Sequence, residues 1–113
     1  MLRRFNFIFL AICLALAFPM AAAADEPLWI DVRTANEYSE GHVEQAINIP
    51  HTEITEGITE FIADRDALIY VYCRSGHRSG IAKETLESLG YTQVVNIGGL
   101  QDALKKSGQY TGD

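Results

Sequence analysis

Cysteine is scarce in this chain of 113 residues: there are two, Cys13 and Cys73. Cys13 lies in an N-terminal apolar stretch that reads as a cleavable export signal. The expected mature chain therefore keeps Cys73 alone, and an internal disulfide is excluded. Paired metal ligands are lacking as well. Cys73, His77, His42 and His51 show none of the paired spacings of zinc sites, so neither a metal nor another cofactor is expected. Cations are few: 9 Lys and Arg stand against 15 Asp and Glu, for a net charge of −6. A chain this acidic is a poor partner for nucleic acid or an anionic membrane. Repeats, low-complexity tracts and internal linkers are missing, which leaves no reason to divide the chain beyond its leader.

The N-terminus has the order of a secretory signal. Arg3 and Arg4 precede Phe5 to Phe18, apolar except for Asn6, and Pro19-Met20-Ala21-Ala22-Ala23-Ala24 leads into polar Asp25-Glu26-Pro27. Cleavage is expected after Ala24, with a periplasmic destination. The apolar core falls short of the ~20 residues a span requires, which argues against a retained membrane anchor. Ile12 beside Cys13, and the apolar residues beyond it, argue against lipidation of that cysteine. Removing 24 of 113 residues leaves about 89, enough for one domain over 25–113. Arg3 and Arg4 leave with the signal, so 7 cations then face 15 anions and the net charge is about −8.

Strand and helix signals alternate along the remainder. Short strands are expected at Leu28–Val32, Ala46–Ile49, Leu68–Tyr72 and Val94–Ile97. Leu68–Tyr72 is continuously apolar, the mark of a strand buried on both faces. Thr34-Ala35-Asn36-Glu37 has the spacing of a capping box and should open a short helix. Thr52 should cap a second, with Ile54, Ile58, Phe61 and Ile62 on its apolar side and Gly57 weakening it. A third is expected from about Ser79 to Leu89, ended by Gly90 in a left-handed conformation. Gly98-Gly99 reads as a tight turn, Leu100–Lys105 as a last short helix and Ser107–Asp113 as a mobile tail. The fold class is α/β: a central, mainly parallel sheet of about four strands flanked by helices. Ligands of such sheets bind beyond the carboxyl ends of the strands, and Cys73 stands at such an end.

The residues after Cys73 are Arg74-Ser75-Gly76-His77-Arg78-Ser79-Gly80, and no Asp or Glu occurs from Ala67 to Lys83. An acidic protein with one cationic window suggests a small anionic ligand there. If the backbone curls around the sulfur, several N–H groups point inward as an anion nest. The following helix adds its positive end, and Arg74 and Arg78 add full charges, although either side chain can face away. Each influence favours thiolate over thiol. Cysteine phosphatases place an arginine after five intervening residues, to enclose a tetrahedral phosphate. Here that position is Ser79 and the arginine comes one residue early, at Arg78. The tighter cradle suits a terminal sulfur better than a phosphoryl group.

Three segments carry a family resemblance. The first is Asp31-Val32-Arg33 with Glu37-Tyr38, Gly41-His42-Val43 and Ala46-Ile47-Asn48-Ile49-Pro50. The second is Val71 to Ser79, and the third is Gly90-Tyr91, Val94 and Gly98-Gly99-Leu100. In this order they resemble the single-domain rhodaneses, in their short exported form. Gln45 departs from the glycine usual before Ala46, no tryptophan follows Gly98-Gly99, and the strand that often opens the domain is missing. The resemblance implies a thiosulfate sulfurtransferase with Cys73 as the catalytic nucleophile and Arg74, Ser75, Gly76, His77, Arg78 and Ser79 as the substrate-binding loop. It implies double displacement: a small anionic donor such as thiosulfate leaves its outer sulfur on Cys73, and an external cyanide or thiol removes it. The alternative is a sulfur-carrying or partner-binding module of the same shape without turnover.

Other residues have structural readings. Asp31 and Arg33 are expected to tie the strand end to the Glu37 helix, His42 to serve as scaffold and His51 to be a polar residue near a helix start. His77 either tunes the sulfur or faces solvent. Ser79 either bonds the sulfur or caps the helix. Ser75 and Gly76 shape the loop, with Gly76 taking a backbone angle other residues resist. Trp29, Tyr70 and Tyr72 are expected in the core or the pocket wall.

Overall fold

The computed structural model describes residues 26–110. The expected signal, its cleavage after Ala24 and Cys13 lie outside them. Four strands form one parallel sheet: β1 Leu28–Asp31, β2 Ile47–Asn48, β3 Leu68–Tyr72 and β4 Gln93–Gly98, in the order β2-β1-β3-β4. The helices are α1 Ala35–Ser39, α2 Ile54–Gly57, α3 His77–Ser88 and α4 Leu100–Ser107. Short 3-10 turns, His51–Glu53 and Ile58–Glu60, flank α2. Among the described residues no helix is long and apolar enough to cross a membrane.

The sheet forms because its central strands bury both faces. Ile69, Val71 and Cys73 point to one side with Ile30, Val32 and Val94, under Ala82 and Leu86 of α3. Tyr72 points to the other, with Trp29, Val43, Ala46 and Ala103 of α4, and Tyr70 packs against that group. Each fully buried Ile or Leu contributes about 1.5–3 kcal/mol from water exclusion. Continuous apolar character in β3 thus reflects two covered faces, as its sequence implies. Trp29 meets Tyr70 edge to face, with ring centroids 5.0 Å apart, and belongs to the core.

Local signals set the element ends with varying success. Thr34 caps α1 as expected: its hydroxyl accepts the Glu37 N–H at 3.1 Å, and the Thr34 N–H donates to Glu37 Oε1 at 3.0 Å. The second helix is a correction. Thr52 makes no cap, and regular α-helix is confined to Ile54–Gly57 between two 3-10 turns. Gly57 lowers the helix propensity of so short a segment. Ile54 and Ile58 are buried, but Phe61 is half exposed rather than on the apolar face. The third helix begins at His77, two residues before Ser79, because Gly76 is its cap residue. The expected tail is corrected over Ser107–Gln109, while its residues 111–113 lie outside the described ones. Helix α4 runs to Ser107, Gly108 ends it at φ +83°, and Gln109 is fastened to the loop before β2. Its Oε1 accepts from the Glu44 N–H at 2.8 Å and its Nε2 donates to Gln45 Oε1 at 2.7 Å.

Candidate active site

The carboxyl ends of β1, β3 and β4 meet at one rim of the sheet. Cys73 follows the last residue of β3, and its N–H donates to the Gly98 carbonyl at 3.0 Å. The residue is only 1 % exposed, so its sulfur lies at the floor of the site rather than on its rim. What faces the sulfur is polar. The Gly76 N–H donates to Sγ at 2.9 Å, and the Ser79 hydroxyl lies 3.4 Å from it. Burial pushes this thiol up, yet the net displacement is down from the ordinary 9.0. The Ser79 hydroxyl and the amides of Ser79, Gly76 and Ser75 outweigh the burial by stabilising the anion.

Two glycines shape this nest. Gly76 sits at φ +101°, where a side chain would strain the backbone, and that conformation turns its N–H onto the sulfur. Gly99 packs against the loop so closely that a Cβ would stand 2.4 Å from the Arg74 carbonyl oxygen. The Gly98-Gly99 turn therefore buttresses the loop from behind.

The loop residues divide by exposure. Ser79 is buried in the first turn of α3, while Arg74, Ser75 and His77 are exposed. Ser79 does not cap the helix; Gly76 occupies that position and leaves the Ser79 hydroxyl to the sulfur and to Asn96 Oδ1, 2.7 Å away. Arg78 is committed to Glu37, its two terminal nitrogens donating to the two carboxylate oxygens at 2.8 and 3.0 Å. Arg74 approaches the same carboxylate at 3.6 Å with its side chain 76 % exposed. Both arginines thus share one counter-ion, and of the two Arg74 is the less constrained.

The sequence marks Glu37 as a capping residue and as part of the first resembling segment, and its place between the loop arginines is new. Arg78 and then the Thr34 N–H hold its carboxyl at about 2, below the ordinary 4.5. As pH falls, the unfolded chain takes up this proton first. The stability from Glu37 is therefore complete above about pH 5 and is lost between about 4.5 and 2. Glu37→Gln is expected to cost about 2 kcal/mol near pH 7, with the gap to the parent closing toward pH 2 in urea titrations. A gap that does not change with pH would contradict this account.

The Asp31 and Arg33 pair is structural, as expected. Arg33 Nε and Nη2 both donate to the buried Asp31 side chain, at 3.1 and 2.7 Å to Oδ2. Arg33 Nη2 also donates to the Gly41 carbonyl at 2.7 Å, so the tie reaches just past α1. His42 is scaffold: its ring stacks on Tyr38, and Nδ1 lies 2.7 Å from the Tyr38 carbonyl. His51 lies in the 3-10 turn before α2, and its backbone N–H donates to the Val32 carbonyl at 2.9 Å. Tyr72 is buried and its hydroxyl accepts the Val43 N–H at 3.0 Å. Beside the loop lies a cavity of about 400 Å³ lined by Arg33, Glu37, Glu40, Gly41, Arg74, Leu100 and Gln101. It carries charges of both signs.

Known proteins share this fold. Residues 20–106 match the rhodanese-like domain family. The chain is 45 % identical over 93 residues to the thiosulfate sulfurtransferase PspE of Escherichia coli, across 82 % of this chain and 86 % of that protein. Its fold superposes on a solved rhodanese with anions from E. coli at a TM-score of 0.66 and 47 % identity, covering 68 % of this chain and 91 % of the other. It is also similar to the human single-domain sulfurtransferase TSTD1, at a TM-score of 0.61 and 26 % identity over 74 % of this chain and 86 % of the other. With its parallel four-stranded sheet and a cysteine in a nest of amides at the strand ends, the chain belongs to the rhodanese-like sulfurtransferase family.

Proposed function

We propose that this chain is a thiosulfate sulfurtransferase that passes a sulfane sulfur to cyanide or a thiol through a persulfide on Cys73. The observation that carries the reading is the Gly76 N–H, 2.9 Å from a sulfur that is also within reach of the Ser79 hydroxyl. The Cys73 thiolate attacks the outer sulfur of thiosulfate. A new S–S bond forms, the bond to the sulfonyl sulfur breaks, and sulfite departs with its electron pair. The persulfide keeps one negative charge, now on its outer sulfur, within the same loop. The cyanide carbon or an acceptor thiolate then attacks that outer sulfur, and the returning pair regenerates the Cys73 thiolate.

Each loop residue has a place in this scheme. The Ser75, Gly76 and Ser79 amides and the Ser79 hydroxyl hold the anion. Arg74, exposed at the mouth, draws the donor in, and Arg78 completes the positive side while anchored to Glu37. His77 stands exposed in the first turn of α3 and contributes to the rim. The N-terminal pattern supports export, so residues 25–113 act in the periplasm after cleavage.

Incubating the protein with thiosulfate is expected to add one sulfur, about 32 Da, to the peptide bearing Cys73, and cyanide to remove it. No added mass, with thiosulfate untouched, would overturn the reading. Loading without repeated turnover would leave a carrier in place of an enzyme.

A further inference from the structure

Asn96 lies on the edge strand β4, outside every segment that the motifs single out, yet its side chain meets the loop at two points. Nδ2 donates to the Gly76 carbonyl at 3.1 Å. Oδ1 accepts the Ser79 hydroxyl at 2.7 Å and the Gly98 N–H at 3.0 Å. The orientation of the amide is forced, because a carbonyl can only accept and a backbone N–H can only donate. We propose that Asn96 is the positioning residue of the sulfur-carrying loop, pinning the Gly76 carbonyl so that the Gly76 N–H stays directed at Cys73, and holding the Ser79 oxygen beside the sulfur. The inference rests on the reading of Cys73 as the sulfur carrier.

The backbone explains how an edge residue reaches the site. Val71 pairs with Asn96 but Tyr72 pairs with Gly98, so Ile97 is an extra residue in β4. A bulge of this kind re-aims the neighbouring side chain. The same bulge sets the Gly98 carbonyl to accept the Cys73 N–H. One irregularity thus fixes both the backbone of the nucleophile and the residue bracing its loop. Gly76 has no side chain of its own to restrain it, and its carbonyl is held by Asn96 and by the Gly80 N–H at 3.1 Å.

Asn96 also suits both charge states of the sulfur. Ser79 has one hydroxyl proton and two acceptor lone pairs. While the sulfur is a neutral thiol, its S–H can donate to Ser79 Oγ, and the Ser79 proton goes to Asn96 Oδ1. When the sulfur becomes an anion, the Ser79 proton turns to it. Oδ1 then retains the Gly98 N–H, so no polar group is left without a partner. An aspartate at this position would keep the Ser79 proton, repel the Gly76 carbonyl and add negative charge beside the sulfur.

Asn96 is exposed, so replacing it opens no core. The test follows iodoacetamide alkylation of the Cys73 peptide by mass as a function of pH, with no sulfur donor present. Asn96→Ala is expected to raise the midpoint by about one pH unit, the equivalent of one hydrogen bond, and to lower kcat/KM for thiosulfate about tenfold. The melting temperature should fall by a few degrees at most, since water can replace the hydrogen bonds of an exposed amide. Asn96→Asp should raise the midpoint further. Because Asn96→Ala also frees the Ser79 proton for the sulfur, its shift in a Ser79→Ala background should be larger than in the parent, so the double variant should exceed the sum of the two single shifts. An unchanged midpoint in Asn96→Ala overturns the proposal, whether or not activity and melting temperature fall together. Full additivity with Ser79→Ala overturns it as well. If Cys73 proves not to carry sulfur, the alkylation profile still reports on the loop, so the two failures are distinguishable.

Discussion

A Cys73→Ser chain is expected to lose sulfur transfer by at least about a thousandfold while keeping its fold. Serine occupies slightly less volume than cysteine and still offers an acceptor to the Gly76 N–H, 2.9 Å from the native sulfur. The buried position beside Val71 and Ile69 therefore survives, at a cost of about 1 kcal/mol. The chemistry does not survive. An alcohol stays protonated where the loop holds a thiol below its ordinary ionisation. Its oxygen forms no stable counterpart of the persulfide, so the first half-reaction has no product in which to store the sulfur. Thiocyanate formation from thiosulfate and cyanide should fall to background, with the near-ultraviolet circular dichroism of the parent retained. Cys73→Ala should behave the same way, which separates loss of the nucleophile from any effect of the new hydroxyl. Turnover near the parent level in either variant would remove Cys73 from the reaction.

What could be read in the sequence was local. The Thr34 and Glu37 capping box spans one helical turn, and it forms as its spacing implies. Leu68–Tyr72 is unmistakable because both of its faces are covered. The nest after Cys73 is legible because Gly76 supplies the positive φ and the next residues begin a helix. What was hidden depends on distance along the chain. The Glu37–Arg78 pair joins residues 41 apart, so the loop arginine looked free when it already had a counter-ion. Gln109 tied to Gln45 across 64 residues fastens the start of what reads as a tail. Asn96 reaches the loop only because of the bulge at Ile97, and a bulge leaves no periodic mark in so short a strand. The second helix failed for a different reason. Ile54 and Ile58 follow helical spacing and are buried, but a glycine between them in so short a segment allowed 3-10 turns to take over at both ends.

Removing Arg78 should damage the donor half-reaction more than a lost positive charge alone would. Arg78→Ala leaves the Glu37 carboxylate without its bidentate partner, and the remaining Arg74 approaches only to 3.6 Å with most of its side chain in solvent. A unit charge about 5 Å from another interacts by roughly 3 kcal/mol at an effective dielectric of 20. The uncovered carboxylate, in the cavity that Glu37 and Arg74 line, therefore opposes an approaching dianion. The expected result is a fall in kcat/KM for thiosulfate of about tenfold to a hundredfold, with a smaller fall for cyanide, whose single charge is repelled less. Because the two half-reactions are separate in a double-displacement scheme, each substrate's kcat/KM reports its own step. High salt should narrow the deficit, since exposed charges are screened over about 10 Å at 0.1 M. Adding Glu37→Gln to Arg78→Ala removes the stranded charge and should recover much of the thiosulfate rate, although neither substitution supplies a new contact to the donor. If the double variant is as slow as Arg78→Ala alone, the loss belongs to Arg78 touching the donor, and the carboxylate has no part in it. If Arg78→Ala leaves the thiosulfate kcat/KM unchanged, neither Arg78 nor the carboxylate it covers bears on the donor, and Arg78 leaves the binding site.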